Sequence, residues 1–291
     1  MRTPKIFRIA IFLLVATLVP SAIIAQNNSE ARPLIKRTKF KSEKIEFGSG
    51  GTVTVTGAPV GSIEIIGWNR PEVEISAEIE VSASNEADLK RLSDVCGFMI
   101  EDSMSQLRIV SVGTHDKKYL KKVDKKFPKR LRGMPFAVNY KIMVPSYTDL
   151  VIDGGKGDLK LSMVEGTMRI GYIESNAKLN LIGGSVQATI GTGSVDVTFA
   201  ARSWRGRFAE IQLIKGDMNV WFPKNLHANL LAKVLRTGKI DNSYPMLKPM
   251  RKTEFTDNLM RAKAGNGGAE LLFTVGDGML KIGDFEKIAK N

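Results

Sequence analysis

Three blocks of 18 residues follow one another without gaps from Thr148: TDLVIDGGKGDLKLSMVE, GTMRIGYIESNAKLNLIG and GSVQATIGTGSVDVTFAA. Stacked, they place Leu150 over Met168 and Val186, and Ile152 over Ile170 and Ala188. Leu159 falls over Ala177 and Val195, Leu161 over Leu179 and Val197, and Met163 over Leu181 and Phe199. All five columns are apolar. The columns between them are mostly polar, as in Ser162 with Asn180 and Thr198, or Asp149 with Thr167 and Ser185. A period of two nested in a longer repeat is what a β-solenoid requires, because each strand points alternate side chains inward and the next coil covers them. One coil cannot hide its own apolar side, so the coils must stack.

With looser spacing the pattern continues through GDMNVWFP, HANLLAKVLRTGKID and GGAELLFTVGDGMLKIGD, with Gly216, Gly238, Gly268 and Gly278 at the turns. The stretch Asn242 to Lys263 alternates poorly and reads as a loop interrupting the stack. Upstream, apolar residues fall at every second position in Val53 and Val55, in Ile63 and Ile65, and in Val73, Ile75, Ile79 and Val81, which predicts strands. One helix is predicted from an N-cap at Asn85 through EADLKRLSDV, with Leu89, Leu92 and Val95 on one face. A further strand runs Gln106 to Val112. The expected fold is mainly β: a stacked, β-helix-like solenoid behind an N-terminal strand-rich portion with one short helix. The boundaries expected are a polar basic leader over 26–43, the strand-rich portion over 44–147 and the repeats over 148–291, the last two continuous as one domain.

The N-terminus carries Arg2, Lys5 and Arg8, then an apolar run from Ile9 to Ile24, then the small Ala25 before a polar stretch. That order predicts a secretory signal peptide over 1–25, cleaved after Ala25. The run of 16 residues falls short of the roughly 20 that a membrane span needs. No cysteine near the cleavage site supports a lipid anchor, and no second long apolar run follows. The mature chain is therefore expected in the periplasm, at the cell surface or in the medium, without a transmembrane span. Lys and Arg number 43 against 30 Asp and Glu, a net +13. An exported chain meets anionic lipid, lipopolysaccharide and acidic glycans rather than nucleic acid, which sets nucleic acid aside as a partner. One cysteine forms no internal disulfide, and Cys96 reads as a small buried apolar residue. Two histidines, His115 and His227, leave little for a zinc site or a triad, so neither metal nor cofactor is expected.

GSIEIIGW followed by EVEISAEIEVSA, the helix and strand ending SQLRIVS, VNYKIMVPSYTDLVIDGGKGDLKL, and the terminal GAELLFTVGDGMLKI together resemble the putative-adhesin family of exported bacterial proteins. The resemblance covers roughly Lys44 to Ile282, with YKIMVP its most specific piece. It implies a β-solenoid envelope or surface protein without established catalytic residues, so no site is carried over. The chain departs from the family between Asp116 and Arg132, where the connection is normally shorter and less charged. Here DKKYLKKVDKKFPKRLR sets nine basic residues against Asp116 and Asp124. On a helical wheel Lys117, Lys118, Lys121, Lys122, Lys125 and Lys126 cover one half, while Tyr119, Leu120, Val123 and Phe127 cluster on the other. Pro128 would end such a helix.

That segment, with Lys129, Arg130 and Arg132, is the binding candidate, directed at an anionic surface; the competing reading is a cap over the open end of the stack. GGKGDLKLS over Gly154 to Ser162 looks like a calcium-binding turn, but Asn176 and Ser194 stand where Asp158 would need acidic equivalents, so it reads as a tight turn. Trp68, Tyr172, Trp204 and Trp221 could stack on sugars, although core or turn packing is the favoured reading. A polysaccharide lyase or hydrolase needs paired carboxylates, and Asp153, Asp158, Glu165 and Asp196 form no stacked pair. The expected function is thus a noncatalytic envelope or surface protein of adhesin type. The alternatives are a scaffold that binds another envelope protein and, behind it, a carbohydrate-active enzyme.

Overall fold

The computed structural model describes residues 34–199, 208–251 and 254–285. The expected signal peptide and Trp204 lie outside the described residues. In chain order the elements are β1 (Ile35–Glu46), β2 (Thr52–Thr56), β3 (Ile63–Trp68), β4 (Glu72–Ala83), α1 (Glu86–Val95), β5 (Gly97–Ser103) and β6 (Gln106–Val112). After them come α2 (Lys117–Val123), β7 (Phe136–Pro145), β8 (Asp149–Lys156), β9 (Leu159–Ser162), β10 (Thr167–Leu181), β11 (Ser185–Phe199) and β12 (Phe208–Phe222). The chain closes with β13 (Ala228–Val234), β14 (Ile240–Asn242), β15 (Leu247–Pro249), β16 (Leu259–Ala264), β17 (Ala269–Asp277) and β18 (Leu280–Asp284). The fold is mainly β, and all of these strands join one hydrogen-bonded sheet.

The centre of that sheet is parallel, and its register is the 18-residue period. Leu150 pairs with Met168 and Met168 with Val186, while Leu161 pairs with Leu179 and Leu179 with Val197. The inward columns are buried, which is what period-two alternation is for. Met163 is the exception. β9 ends its pairing at Ser162 opposite Asn180, so Met163 falls beyond the ladder at φ +60 and is 53% exposed. Val164 takes the place in the core instead.

β10 and β12 each serve two ladders, β10 pairing first with β8 and then with β9, and β12 first with β17 and then with β18, while β11 lies between β10 and β12 along its length. Glycines at positive φ divide the halves: +125° at Gly193 and +129° at Gly216. A Cβ on Gly216 would collide with the Gly193 carbonyl oxygen, so only glycine lets successive layers approach there.

Layers do not follow chain order, contrary to the expectation of sequential stacking. β17 lies between β12 and β13, and β18 between β12 and β14. At the other end β2 lies between β6 and β8, and β3 between β7 and β9. Insertion gives the last strands a partner on both sides and leaves them no open edge.

Antiparallel strands finish both ladders: β5 on β6, β4 on β7 with β1 on β4, and β16 on β13 with β15 on β16. Two expectations change here. The polar leader is, over its described part, the strand β1, whose sequence IKRTKFKSEKIE hides its alternation because an edge strand carries charge on both sides. The presumed loop Asn242 to Lys263 contains β15 and most of β16, where the small Ala262 and Ala264 supply the buried positions beside Met260 and weaken the pattern. α1 forms as expected, with the Asn85 side chain accepting from the Asp88 N–H at 2.9 Å.

Candidate functional site

The basic segment forms a loop between β6 and β7, closed at its base. The Thr114 hydroxyl donates to the Met134 carbonyl at 2.6 Å, and the Gly133 N–H donates to the Thr114 carbonyl at 3.0 Å. His115 stacks on Phe136 with ring centres 5.4 Å apart. Asp116 caps α2, its carboxylate accepting from the N–H groups of Lys118 and Tyr119, both at 2.9 Å.

The helix is shorter than the wheel implies. α2 ends at Val123 rather than running to Pro128. The Asp124 carboxylate accepts from the Lys126 N–H at 3.0 Å, a local bond that competes with helical continuation. Leu120, Phe127 and Leu131 are buried and join the core, whereas Val123, expected on the apolar side, is 51% exposed. The apolar side of the segment therefore covers the core beside α1, as a cap would, while its basic side chains remain outside.

All nine predicted basic residues are exposed, but they do not act alike. Lys117, Lys121, Lys125 and Arg132 converge around a cleft of about 90 Å³ floored by Leu120 and bordered by Asp124. Lys118, Lys122, Lys126 and Lys129 lie outside it. Arg130 is a structural tie: its guanidinium forks onto the Asp88 carboxylate of α1, with Nη2 donating to Oδ1 at 2.6 Å and Nη1 to Oδ2. The hydrogen bond from Arg130 is the main reason that the Asp88 carboxyl sits below its ordinary value.

β1, which occupies part of the stretch expected as a leader, adds further charge beside α1. Arg37 pairs with Glu86 of α1 at 2.8 Å, and Lys41 lies 4.2 Å from the centre of the Phe98 ring. Lys39 shares the same face of the strand by period-two alternation. α1 is thus bracketed by Arg37 on one flank and Arg130 on the other.

The remaining candidates are placed as follows. Asp158 accepts from Asn176 at 3.2 Å and Asn176 accepts from Ser194 at 2.9 Å, so the calcium-like turn is a ladder of side-chain hydrogen bonds between layers. Asp196 likewise accepts from Asn219 at 2.7 Å. Tyr172 is buried in the core. Trp68 and Trp221 stand in the outward rows of layers β3 and β12, which three further layers separate. His227 accepts from the Asn266 N–H at 3.0 Å, remote in role from His115. Cys96 is buried, and desolvation pushes its thiol up to about 11. Among the described residues no cluster of His, Cys, Asp and Glu could hold a metal ion, and no helix is long and apolar enough to cross a membrane.

No family model matches the chain, and no curated protein does. Solved structures do match. A putative cell adhesion protein from Clostridium sporogenes aligns at 15% identity with a TM-score of 0.46, over 85% of this chain and 100% of that one. A putative adhesin from Bacteroides fragilis aligns at 10% identity and a TM-score of 0.31, over 84% of this chain and 97% of that one. A putative lipid binding protein from Parabacteroides distasonis aligns at 10% identity and a TM-score of 0.26, over 84% and 96%.

Proposed function

We propose that the chain is a noncatalytic, exported envelope or surface protein of adhesin type: a β-solenoid that presents a basic end to an anionic surface of lipid, lipopolysaccharide or acidic glycan. The observation that carries this reading is the convergence of Lys117, Lys121, Lys125 and Arg132 on one cleft, within a loop that Arg130 ties to α1. A tied loop loses little conformational freedom on contact, and each lysine near an anionic bilayer contributes up to about 1 kcal/mol before screening. The cap and the contact are compatible, since the buried side chains belong to one face and the charges to the other.

The test compares the mature chain with a variant in which Lys117, Lys118, Lys121, Lys122, Lys125 and Lys126 are glutamine. Wild type is expected to sediment with vesicles containing phosphatidylglycerol, but not with phosphatidylcholine alone, and to be released by high salt. The variant is expected to remain in solution. Equal sedimentation of both proteins would reject the proposal.

A second reading, a scaffold for another envelope protein, has an observation of its own. Ile173, Ile214 and Leu235 are 66%, 53% and 63% exposed. They fall at equivalent positions of β10, β12 and the chain after β13, in every second layer, with Gly191 and Gly276 between. Successive members are thus about 9.6 Å apart, an apolar row along the stack.

A further inference from the structure

At the corner where one layer passes to the next, segments before β4, before β8 and before β10 enclose a concavity of about 440 Å³. Its walls include Trp68, Asn69, Arg70, Ser146, Tyr147 and Glu165. None of them belongs to the basic loop.

The backbone of this corner is tightly cross-linked. The Trp68 carbonyl accepts from both the N–H and the hydroxyl of Ser146, at 2.9 and 3.1 Å. The Gly50 N–H donates to the Tyr147 carbonyl at 2.6 Å. The Glu165 N–H donates to the Ser146 carbonyl at 2.6 Å, and the Glu165 carbonyl accepts from the Thr148 N–H at 3.1 Å. The indole is fixed as well: its Nε1–H donates to the Glu72 carbonyl at 2.9 Å, and the Arg70 guanidinium lies 4.8 Å from the ring centre. Between these fixed walls Tyr147 is 59% exposed.

A large aromatic ring left in water on a rigid corner forgoes the burial that such a ring normally finds. The concavity sets amide, hydroxyl, guanidinium and carboxylate groups beside the apolar Trp68, Pro71 and Ile182, a mixture that matches a ligand with both hydroxyls and an apolar face. A pyranose has both features, an apolar C–H face and a rim of hydroxyls. We infer that this corner is a saccharide subsite: Tyr147 is the stacking platform, Trp68 the wall, and Asn69, Arg70, Ser146 and Glu165 the hydrogen-bonding rim. Because the walls are already held in place, binding requires little ordering of the protein.

The probe is a panel of soluble hexasaccharides of glucose, N-acetylglucosamine and galacturonate, titrated calorimetrically into the mature chain. At least one member is expected to bind. Tyr147→Ala is expected to weaken that binding about tenfold, the scale of one lost aromatic stack, whereas Tyr147→Phe stays within about threefold of wild type. Tyr147 is exposed, so its replacement leaves the fold intact, and the melting temperature of each variant checks this. The lysine-to-glutamine variant is expected to bind the saccharide like wild type, which separates this site from the basic loop. Failure of the whole panel to bind, equal binding by Tyr147→Ala, or loss of binding in the lysine variant would each overturn the inference.

Discussion

Gly216 shows how a single residue governs the spacing of layers. Its φ of +129° is one that L side chains rarely adopt, and an added Cβ would meet the Gly193 carbonyl of the layer beneath. Replacement by alanine must strain the backbone or separate the layers. Gly216→Ala is therefore expected to lower the unfolding free energy by at least about 2 kcal/mol in urea denaturation. Thr192→Ala, at an exposed position of β11, should change it by no more than about 0.5 kcal/mol. Sequence alone marks Gly216 as a turn residue. It does not reveal the carbonyl opposite, because that neighbour comes from another layer. Met163 teaches the same lesson in reverse: its column is apolar in sequence, yet the end of β9 turns it outward and Val164 replaces it.

Among the elements, α1 and the basic loop depend on each other through Asp88 and Arg130. Asp88 is held below its ordinary value of 3.8, chiefly by the hydrogen bond from Arg130. A carboxyl whose folded value is depressed stabilises the fold above its unfolded value, and that contribution is lost as the pH falls through the folded value. The loop is thus expected to stay docked at neutral pH and to loosen in acid below 3.8. The methyl resonances of Leu120 and Leu131 would report this by broadening on acidification. In Asp88→Asn they should be broadened already at neutral pH; sharp resonances there would show that the tie is dispensable. α1 was legible from its cap and apolar spacing. The length of α2 was not, since a wheel counts faces and ignores Asp124, whose carboxylate offers the backbone a competing bond.

Across the whole molecule, the position of the last strands sets cooperativity. A stack built in chain order would lose only its final layer on truncation. Here β17 and β18 lie between β12 and the β13 and β14 layer, so deleting residues 269–291 removes an internal layer and takes from β13 its parallel partner, leaving it only the antiparallel β16. Such a truncation is expected to abolish the main cooperative transition in calorimetry, whereas retention of that transition with a small loss of enthalpy would indicate sequential stacking.

The sequence by itself determined most of the strands, the 18-residue register and, Met163 apart, the buried columns, since period-two alternation is local and parallel in-register pairing sets equivalent positions side by side; it missed β1, β15 and β16, whose alternation is masked by charge or by small residues. It also determined where charge accumulates, in the stretch from Lys117 to Arg132. Only the tertiary structure decided the order of layers, because every layer offers the same apolar columns and the same ladder of donors and acceptors, so that several insertions satisfy the pattern equally. The corner of Trp68 and Tyr147 was decided in the same way: residues 79 positions apart come together where layers are joined, and nothing in their local patterns records that meeting.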